Sequence, residues 1–233
     1  MLNRDKMITR NQIIENVQRI KAELPDGVRL EAAAKTQLPE AVDAAIEAGV
    51  DLIGQNYIQD AVALADTVGN RVPLHFIGHL QKNKINKAVA LFDAVETIDS
   101  IKLADAFNLR CANANKVMEV LIEVNSGREA QKAGVHPEHV QALAEHIAGL
   151  EHLRLTGLMT MGPFTADPEE ARPYFKTTRS VFDQLTALNL PGVTLRDLSM
   201  GMTTSYRVAI EEGANIVRLG TLIFGPRPPK KQG

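Results

Sequence analysis

Eight short apolar segments, separated by amphipathic stretches, constrain the fold of this 233-residue chain more than any other feature. The segments have the length and composition of buried parallel strands, and the stretches between them have helical spacing. The predicted strands are residues 28–34, 52–54, 74–77, 94–97, 117–124, 153–159, 194–199 and 216–219. The predicted helices are residues 39–48, 59–67, 101–113, 137–148, 169–188 and 206–212, with one more at 13–24 before the first strand.

This alternation predicts an α/β fold, namely a single-domain (β/α)₈ TIM barrel with an extra N-terminal helix. An open doubly wound sheet is the alternative, but no glycine-rich dinucleotide turn follows the first predicted strand. No linker or shift in composition divides residues 1–233 into two domains. Residues 226–233 are rich in proline and lysine, and we predict a flexible tail there.

The composition narrows the range of functions. The formal net charge of −2 gives no electrostatic case for binding DNA or RNA, and the absence of tryptophan argues against base stacking. No apolar stretch approaches the roughly 20 residues that span a bilayer. The single cysteine, Cys111, excludes an internal disulfide and a cysteine zinc cluster. We therefore expect a reducing cytoplasm, with Cys111 as a buried packing residue.

Lys35 stands at the polar end of the first predicted strand, and a helix with a proline in its first turn follows it. The carboxyl ends of parallel strands are where barrels build their sites. A lysine there is costly to bury, and its pKa falls readily, as Schiff-base chemistry requires. The alternative, on this feature alone, is an ion-paired or snorkelling lysine.

A barrel also predicts that other residues at strand ends share one mouth with Lys35. The set is rich in small and hydrogen-bonding side chains and lacks paired carboxylates, which weakens a glycosidase or metal-hydrolase interpretation. Its members are Lys35, Gln55, Asn56, Tyr57, His75, Gly78, Asn125, Ser126, Met159, Thr160, Met161, Ser199, Met200, Gly201, Met202, Arg218, Leu219, Gly220 and Thr221.

The segments after the seventh and eighth strands favour a phosphate site. Residues 199–204 lead into a helix near Ser205, and Gly220 with Thr221 closes the last strand. Glycines let backbone N–H groups approach a phosphate, and hydroxyls donate to it. The alternative is that these glycines only permit tight turns. A phosphate site opposite Lys35 is a more specific signal than the lysine or the phosphate site alone. The combination predicts binding of pyridoxal 5'-phosphate (PLP).

Arg218 fits this interpretation, although a structural ion pair is the alternative for it. A guanidinium does not deprotonate, so an arginine facing a pyridine nitrogen keeps that nitrogen unprotonated. Such a pyridine is a weaker electron sink than one paired with an aspartate, which limits carbanion chemistry.

Taken together and in this order, several segments make the chain similar to the YggS/PROSC family of PLP homeostasis proteins over nearly its whole length. They are residues 33–36, 54–57, 75–84, 97–100, 157–161, 198–202 and 217–225. The resemblance implies a fold-type III PLP barrel like the alanine racemase N-terminal domain, with PLP bound covalently as an imine on Lys35. Arg218 would lie near the pyridine nitrogen. The remaining cofactor-binding residues would be Ser199, Gly201, Gly220 and Thr221 around the phosphate, and Asn56, His75 and Met200 around the cofactor.

Two further positions stand out against the family pattern. Gln55 occupies a position where the family usually has glutamate. Glutamine has no charge, so any ion pair that the glutamate makes in the family is in doubt here. Lys132 lies in a Lys-x-Gly motif of the family, ending at Gly134, and is a candidate second PLP-reactive site.

The expected function is a PLP carrier or regulator in vitamin B6 homeostasis, without catalytic residues of its own. Racemases of this fold type use a second domain and a base on each face of the cofactor, whereas this chain ends soon after the eighth strand. A small PLP-dependent amino-acid racemase is the alternative, and a barrel for sugar phosphates is a third possibility. We also expect a monomer, PLP-dependent apoenzymes as recipients, and no metal, because His75 and His79 would diverge from a strand.

Overall fold

The computed structural model describes residues 8–163 and 165–226, and within them the chain forms a closed eight-stranded parallel barrel. The strands follow one another around the barrel in chain order, and β1 pairs with β8 to close it. The strands are β1 (Arg29–Ala33), β2 (Leu52–Gln55), β3 (Leu74–Phe76), β4 (Ala94–Ile98), β5 (Met118–Val124), β6 (Leu153–Thr160), β7 (Asp197–Ser199) and β8 (Ile216–Leu219).

Helices surround the barrel and connect successive strands. They are α1 (Arg10–Glu23), α2 (Pro39–Glu47), α3 (Ile58–Val68), α4 (Ile85–Leu91), α5 (Ile101–Asn113), α6 (Val140–Ala148), α7 (Arg172–Leu188), α8 (Tyr206–Glu211) and α9 (Thr221–Phe224). Short 3₁₀ turns at Lys82–Lys84, Pro137–His139 and Pro168–Ala171 lead into α4, α6 and α7. No helix among the described residues is both long enough and apolar enough to cross a membrane.

Local sequence explains where the first helices begin. Thr9 caps α1 through a reciprocal capping box with Gln12, which satisfies two amides that have no partner within the helix. Pro39 opens α2, where its missing N–H removes no helical hydrogen bond. The apolar stripe of α1, formed by Ile13, Val17 and Ile20, is buried and continues the core between helices and barrel.

The predicted (β/α)₈ barrel is confirmed and the open sheet is excluded, because β1 pairs in register with β8. The extra N-terminal helix is present as α1, and Cys111 is buried. The sequence did not predict α4 or α9, and β7 is shorter than expected because residues 194–196 precede regular pairing. Apart from Pro226, the predicted tail lies outside the described residues.

Polar side chains occupy the middle of the barrel strands. Several strands carry a buried charged group within a mostly apolar segment, as expected where side chains alternate between the barrel interior and the helices. These groups include Glu31 in β1, Glu96 in β4, Glu123 in β5 and Arg218 in β8. These side chains supply the electrostatics of the site at the carboxyl ends of the strands.

Candidate functional site

Lys35 follows β1 at the mouth of the barrel and is half-buried. Its Nζ atom lies 4.8 Å from the centre of the Tyr57 ring, a cation–π arrangement, and no ion pair to it occurs among the described residues. The next residue, Thr36, has a φ of 63°, uncommon for a non-glycine residue, and its N–H donates to Asp60 at 3.1 Å. This turn holds Lys35 at the mouth, with its amine free of a carboxylate partner in the described part of the chain.

Gln55 fixes the backbone immediately before Lys35. Its Nε2 donates to the carbonyl of Ala34 at 2.7 Å, and its Oε1 accepts from the Asn56 N–H at 3.1 Å. Gln55 is fully buried, so both hydrogen bonds are shielded from water. A glutamate could not make the first bond in its ionised form because a carboxylate has no hydrogen to donate.

The phosphate candidates lie where β7 and β8 end. Gly201 has a φ of 90°, and a Cβ atom there would approach the Cα of Tyr206 to 2.8 Å, so only glycine fits this turn without strain. Gly220 packs against β1, since a Cβ on it would come 3.2 Å from the carbonyl oxygen of Ala33. The end of β8 is therefore adjacent to the turn that carries Lys35.

Arg218 is almost fully buried, and several groups hold its guanidinium. Nη1 donates to the Ser199 hydroxyl at 2.6 Å, and Nη2 donates to the Thr160 carbonyl at 2.7 Å and lies 3.4 Å from the sulfur of Met161. A guanidinium has five N–H groups. The Nε–H and the second Nη1–H make no hydrogen bond to any described residue, so both are available to a ligand.

Glu96 and His75 extend this network into the barrel. The Ser199 hydroxyl donates to Oε2 of Glu96 at 2.6 Å, and Oε1 of Glu96 lies 2.8 Å from Nδ1 of His75. Burial alone raises the pKa of Glu96, but the hydrogen bond from His75 and the charges of His75 and Arg218 outweigh it and lower the pKa. Burial alone lowers the pKa of His75, but its hydrogen bond to Glu96 and the nearby carboxylates raise it.

Glu31 is fully buried on β1, and neither of its carboxyl oxygens has a hydrogen-bond partner among the described residues. Burial and the neighbouring Glu96 raise the pKa of Glu31 to about 8. At neutral pH, the carboxyl group of Glu31 is therefore mainly protonated. Glu123 is a second buried acid, and burial and the charge of Asp99 raise its pKa to about 7.

These carboxyl groups correct one expectation. The site was expected to lack paired carboxylates, but Glu31 and Glu96 lie together in the barrel with His75, each with a ligand atom within 4.8 Å of the others. Two carboxylates and an imidazole are metal-ligand types. However, both oxygens of Glu96 and Nδ1 of His75 are already engaged in hydrogen bonds. His79 is exposed and is not part of this group.

The sequence-predicted residues divide between the ends of the strands and their interior. Lys35, Asn56, Gly201 and Gly220 lie in the turns after the strands and Thr221 begins α9, whereas the side chains of His75, Ser199, Met200 and Arg218 are buried. The Ser199 hydroxyl is engaged by Arg218 and Glu96, so a phosphate contact would require it to leave these partners. Asn56 donates weakly to the carbonyl of Ile77, at 3.4 Å.

Lys132 lies in the long turn after β5, apart from this network. Its Nζ is 2.5 Å from Oε1 of Glu129 and 5.9 Å from the centre of the Tyr174 ring. The turn is fixed by Asn125, whose side chain donates to the carbonyl of Glu129 at 2.9 Å and accepts from its N–H. Lys132 is half-buried and therefore reachable from solvent.

Comparisons with known proteins agree with this geometry. The family model for the alanine racemase N-terminal domain matches residues 8–228. A relative from Aquifex aeolicus called pyridoxal phosphate homeostasis protein is 37% identical over 221 residues, which cover 93% of this chain and 96% of the relative.

Two solved structures are similar in fold. PipY of Synechococcus elongatus, with PLP bound, is 28% identical with a TM-score of 0.83, and the match covers 91% of this chain and 100% of PipY. An alanine racemase from Clostridium difficile is 18% identical with a TM-score of 0.78, over 94% of this chain and 58% of the racemase. The latter similarity concerns the fold alone.

Proposed function

The chain belongs to the alanine racemase N-terminal domain family, and from this premise we propose that it binds PLP at Lys35 and serves PLP homeostasis as a carrier or buffer. The observation that carries the proposal is the position of Lys35. Its amine has no carboxylate partner among the described residues, and the end of β1, which precedes Lys35, packs against Gly220 at the end of β8. The relative from Aquifex aeolicus is named for pyridoxal phosphate homeostasis, and PipY has PLP bound. Both support PLP as the cofactor.

The residues at the mouth suit the three recognisable parts of PLP. The amine of Lys35 suits the aldehyde, and the two unengaged N–H groups of Arg218 suit a pyridine nitrogen that accepts hydrogen bonds. The turns at Gly201 and at Gly220 and Thr221 suit the phosphate, because small residues expose backbone N–H groups. Asn56 and Met200 would border the ring.

The covalent step needs only the amine of Lys35 and the aldehyde of PLP. A neutral amine forms a C=N bond to the aldehyde carbon, and one molecule of water leaves. Bound in this way, PLP supplies an electrophilic imine that can exchange with other amines. Arg218 cannot supply a proton to the ring nitrogen under ordinary conditions, so the ring stays a weak electron sink and the cofactor is stored with little reactivity.

We propose that the protein has no robust racemase or transaminase activity. Relatives matched over most of their length are named for homeostasis. The test is turnover of amino acids by the PLP-loaded protein beside Lys35→Ala. Turnover no higher than in the variant supports a carrier, whereas sustained racemisation well above it would favour the racemase alternative.

The proposal also covers the oligomeric state, the cellular location, the recipients of PLP and a second reactive lysine. We propose a monomer in a reducing cytoplasm, for which the single buried Cys111 gives support, with PLP-dependent apoenzymes as recipients. Lys132 is proposed as a second PLP-reactive lysine because it is reachable from solvent, and its ion pair with Glu129 must break before the amine can react. A visible absorption band on adding PLP separates the PLP barrel from one for sugar phosphates, which would give no band.

A further inference from the structure

A continuous chain of hydrogen bonds runs from Arg218 into the barrel interior. Arg218 donates to Ser199 at 2.6 Å, and Ser199 donates to Glu96 at 2.6 Å. Glu96 also contacts His75 at 2.8 Å. All four side chains are buried, so water cannot replace any of these bonds cheaply.

The direction of these hydrogen bonds makes Glu96 the acceptor at the inner end of the chain. Arg218 can only donate, so the Ser199 oxygen must accept from it and the single Ser199 hydrogen must point elsewhere. That hydrogen is directed to Glu96, which accepts as a carboxylate because, despite its burial, His75 and Arg218 lower its pKa. Glu96 is thus the buried anion that faces Arg218, and Ser199 connects the two charges.

We propose that Glu96 is a positioning residue that orients the Arg218 guanidinium toward the pyridine nitrogen of bound PLP through Ser199. His75 holds the other oxygen of Glu96 and so fixes the carboxylate from the opposite side. This inference rests on the proposed function, because it concerns the same cofactor. It adds a residue inside β4, away from the strand ends, to the determinants of PLP binding.

Arg218 has one other strong anchor, the carbonyl of Thr160. Without Glu96, the Ser199 hydroxyl loses its acceptor, and Arg218 and His75 lose a buried counter-ion. Removing one partner of a buried, hydrogen-bonded charge pair is strongly unfavourable because the other charge remains. The guanidinium would then turn toward whatever acceptor or water it can reach, and its two free N–H groups would no longer point in a fixed direction.

Thr156 provides a matched control for Ser199. Both carry a fully buried hydroxyl in a barrel strand, but the hydroxyl of Thr156 makes no hydrogen bond to any described residue. Ser199→Ala and Thr156→Val therefore each remove one buried hydroxyl without altering any charge, and only the first interrupts the chain to Arg218. Glu96→Gln interrupts the same chain by removing the carboxylate charge.

The test is a PLP titration followed by the visible absorption spectrum from pH 6 to 9, for the full-length protein and the variants. We expect Glu96→Gln to weaken PLP binding about tenfold or more and to alter the band position or its pH dependence. Ser199→Ala should change both in the same direction, and the double variant should be little worse than Glu96→Gln alone. Thr156→Val should stay within about twofold of the unaltered protein.

Two results would overturn the inference. One is an unchanged affinity and spectrum in Ser199→Ala, which serves as the deciding variant if Glu96→Gln does not fold. The other is an equal effect of Thr156→Val and Ser199→Ala, which would indicate general damage to the core. Failure of the proposed function looks different, because the unaltered protein would then form no adduct on Lys35 after borohydride reduction.

Discussion

The side-chain amide of Gln55 donates a hydrogen bond of 2.7 Å to the carbonyl oxygen of Ala34, the residue immediately before Lys35. This bond ties the end of β2 to the turn that carries the Lys35 amine. Because the acceptor is a carbonyl and the site is fully buried, the bond needs a hydrogen-bond donor at this position, and an amide supplies one at any pH.

We predict that Gln55→Glu lowers the free energy of unfolding by about 2 kcal/mol or more at pH 8, since an ionised carboxylate would face the Ala34 carbonyl. The loss should shrink at pH 5, where a protonated glutamate can donate. Urea unfolding at the two pH values checks this. Gln59→Glu on the exposed side of α3 is the control, and equal small effects of the two changes would contradict the prediction.

Gly201→Ala should be destabilising by about 2–4 kcal/mol, because the residue has a φ of 90° and its Cβ would come 2.6 Å from the Cβ of Ala209. The variant should also bind PLP more weakly if the turn after β7 holds the phosphate. Gly149→Ala is a suitable control, since its φ is negative and its Cβ would meet only a carbonyl at 3.5 Å. Thermal unfolding and PLP titration of both variants measure the two effects.

The pH dependence of the free energy of unfolding should reveal the raised pKa of Glu31. Its pKa of about 8 in the folded chain exceeds the ordinary value of 4.5, so the folded state retains a proton that the unfolded state loses. The free energy of unfolding therefore falls as the pH rises from about 5 to 8, by up to about 1.4 kcal/mol per pH unit. Without PLP, Glu31→Gln should remove the part of this decline that Glu31 causes.

Urea unfolding of the unaltered protein and of Glu31→Gln at several pH values tests this difference. The gap in stability should widen with pH in favour of the variant and level off above about pH 8. The raised pKa of Glu123 acts in the same direction in both proteins and cancels in the comparison. Parallel curves would contradict the prediction. Glu40→Gln on the exposed face of α2 controls for the change in net charge.

Lys132 should be labelled only when PLP is in excess. At one equivalent of PLP, borohydride reduction should label Lys35, and at tenfold excess a second adduct should appear on Lys132. Its ammonium is held by Glu129 at 2.5 Å, so Glu129→Gln should increase the labelling. Peptide mapping by mass spectrometry measures both sites, and no adduct on Lys132 in excess PLP would contradict its role.

Much of this candidate site could be predicted because charged residues and glycines at the ends of apolar segments are visible in the local sequence. Lys35 and Arg218 are single charges at or near the ends of apolar segments, and the barrel brings such ends together. The glycines at 201 and 220 follow the same logic, since close turns need them.

The buried acids were missed because an apolar segment shows that a strand is buried but does not show which face a polar residue takes. Glu31 and Glu123 each stand between two apolar neighbours, and Glu96 stands between Val95 and Thr97. Single acids within such buried segments of a barrel are directed inward. Their partners could not be predicted locally. Ser199 and Glu96 are 103 residues apart in the chain and meet only when the barrel closes.

The most direct test of PLP binding at Lys35 is borohydride reduction of the protein with one equivalent of PLP, followed by peptide mapping. Lys35→Ala is the comparison, and Lys132→Ala is the control that removes another half-buried lysine. We predict a visible band and a single adduct on Lys35, both lost in Lys35→Ala and retained in Lys132→Ala. An adduct that persists in Lys35→Ala, or no adduct in the unaltered protein, would contradict the assignment of this mouth as a PLP site.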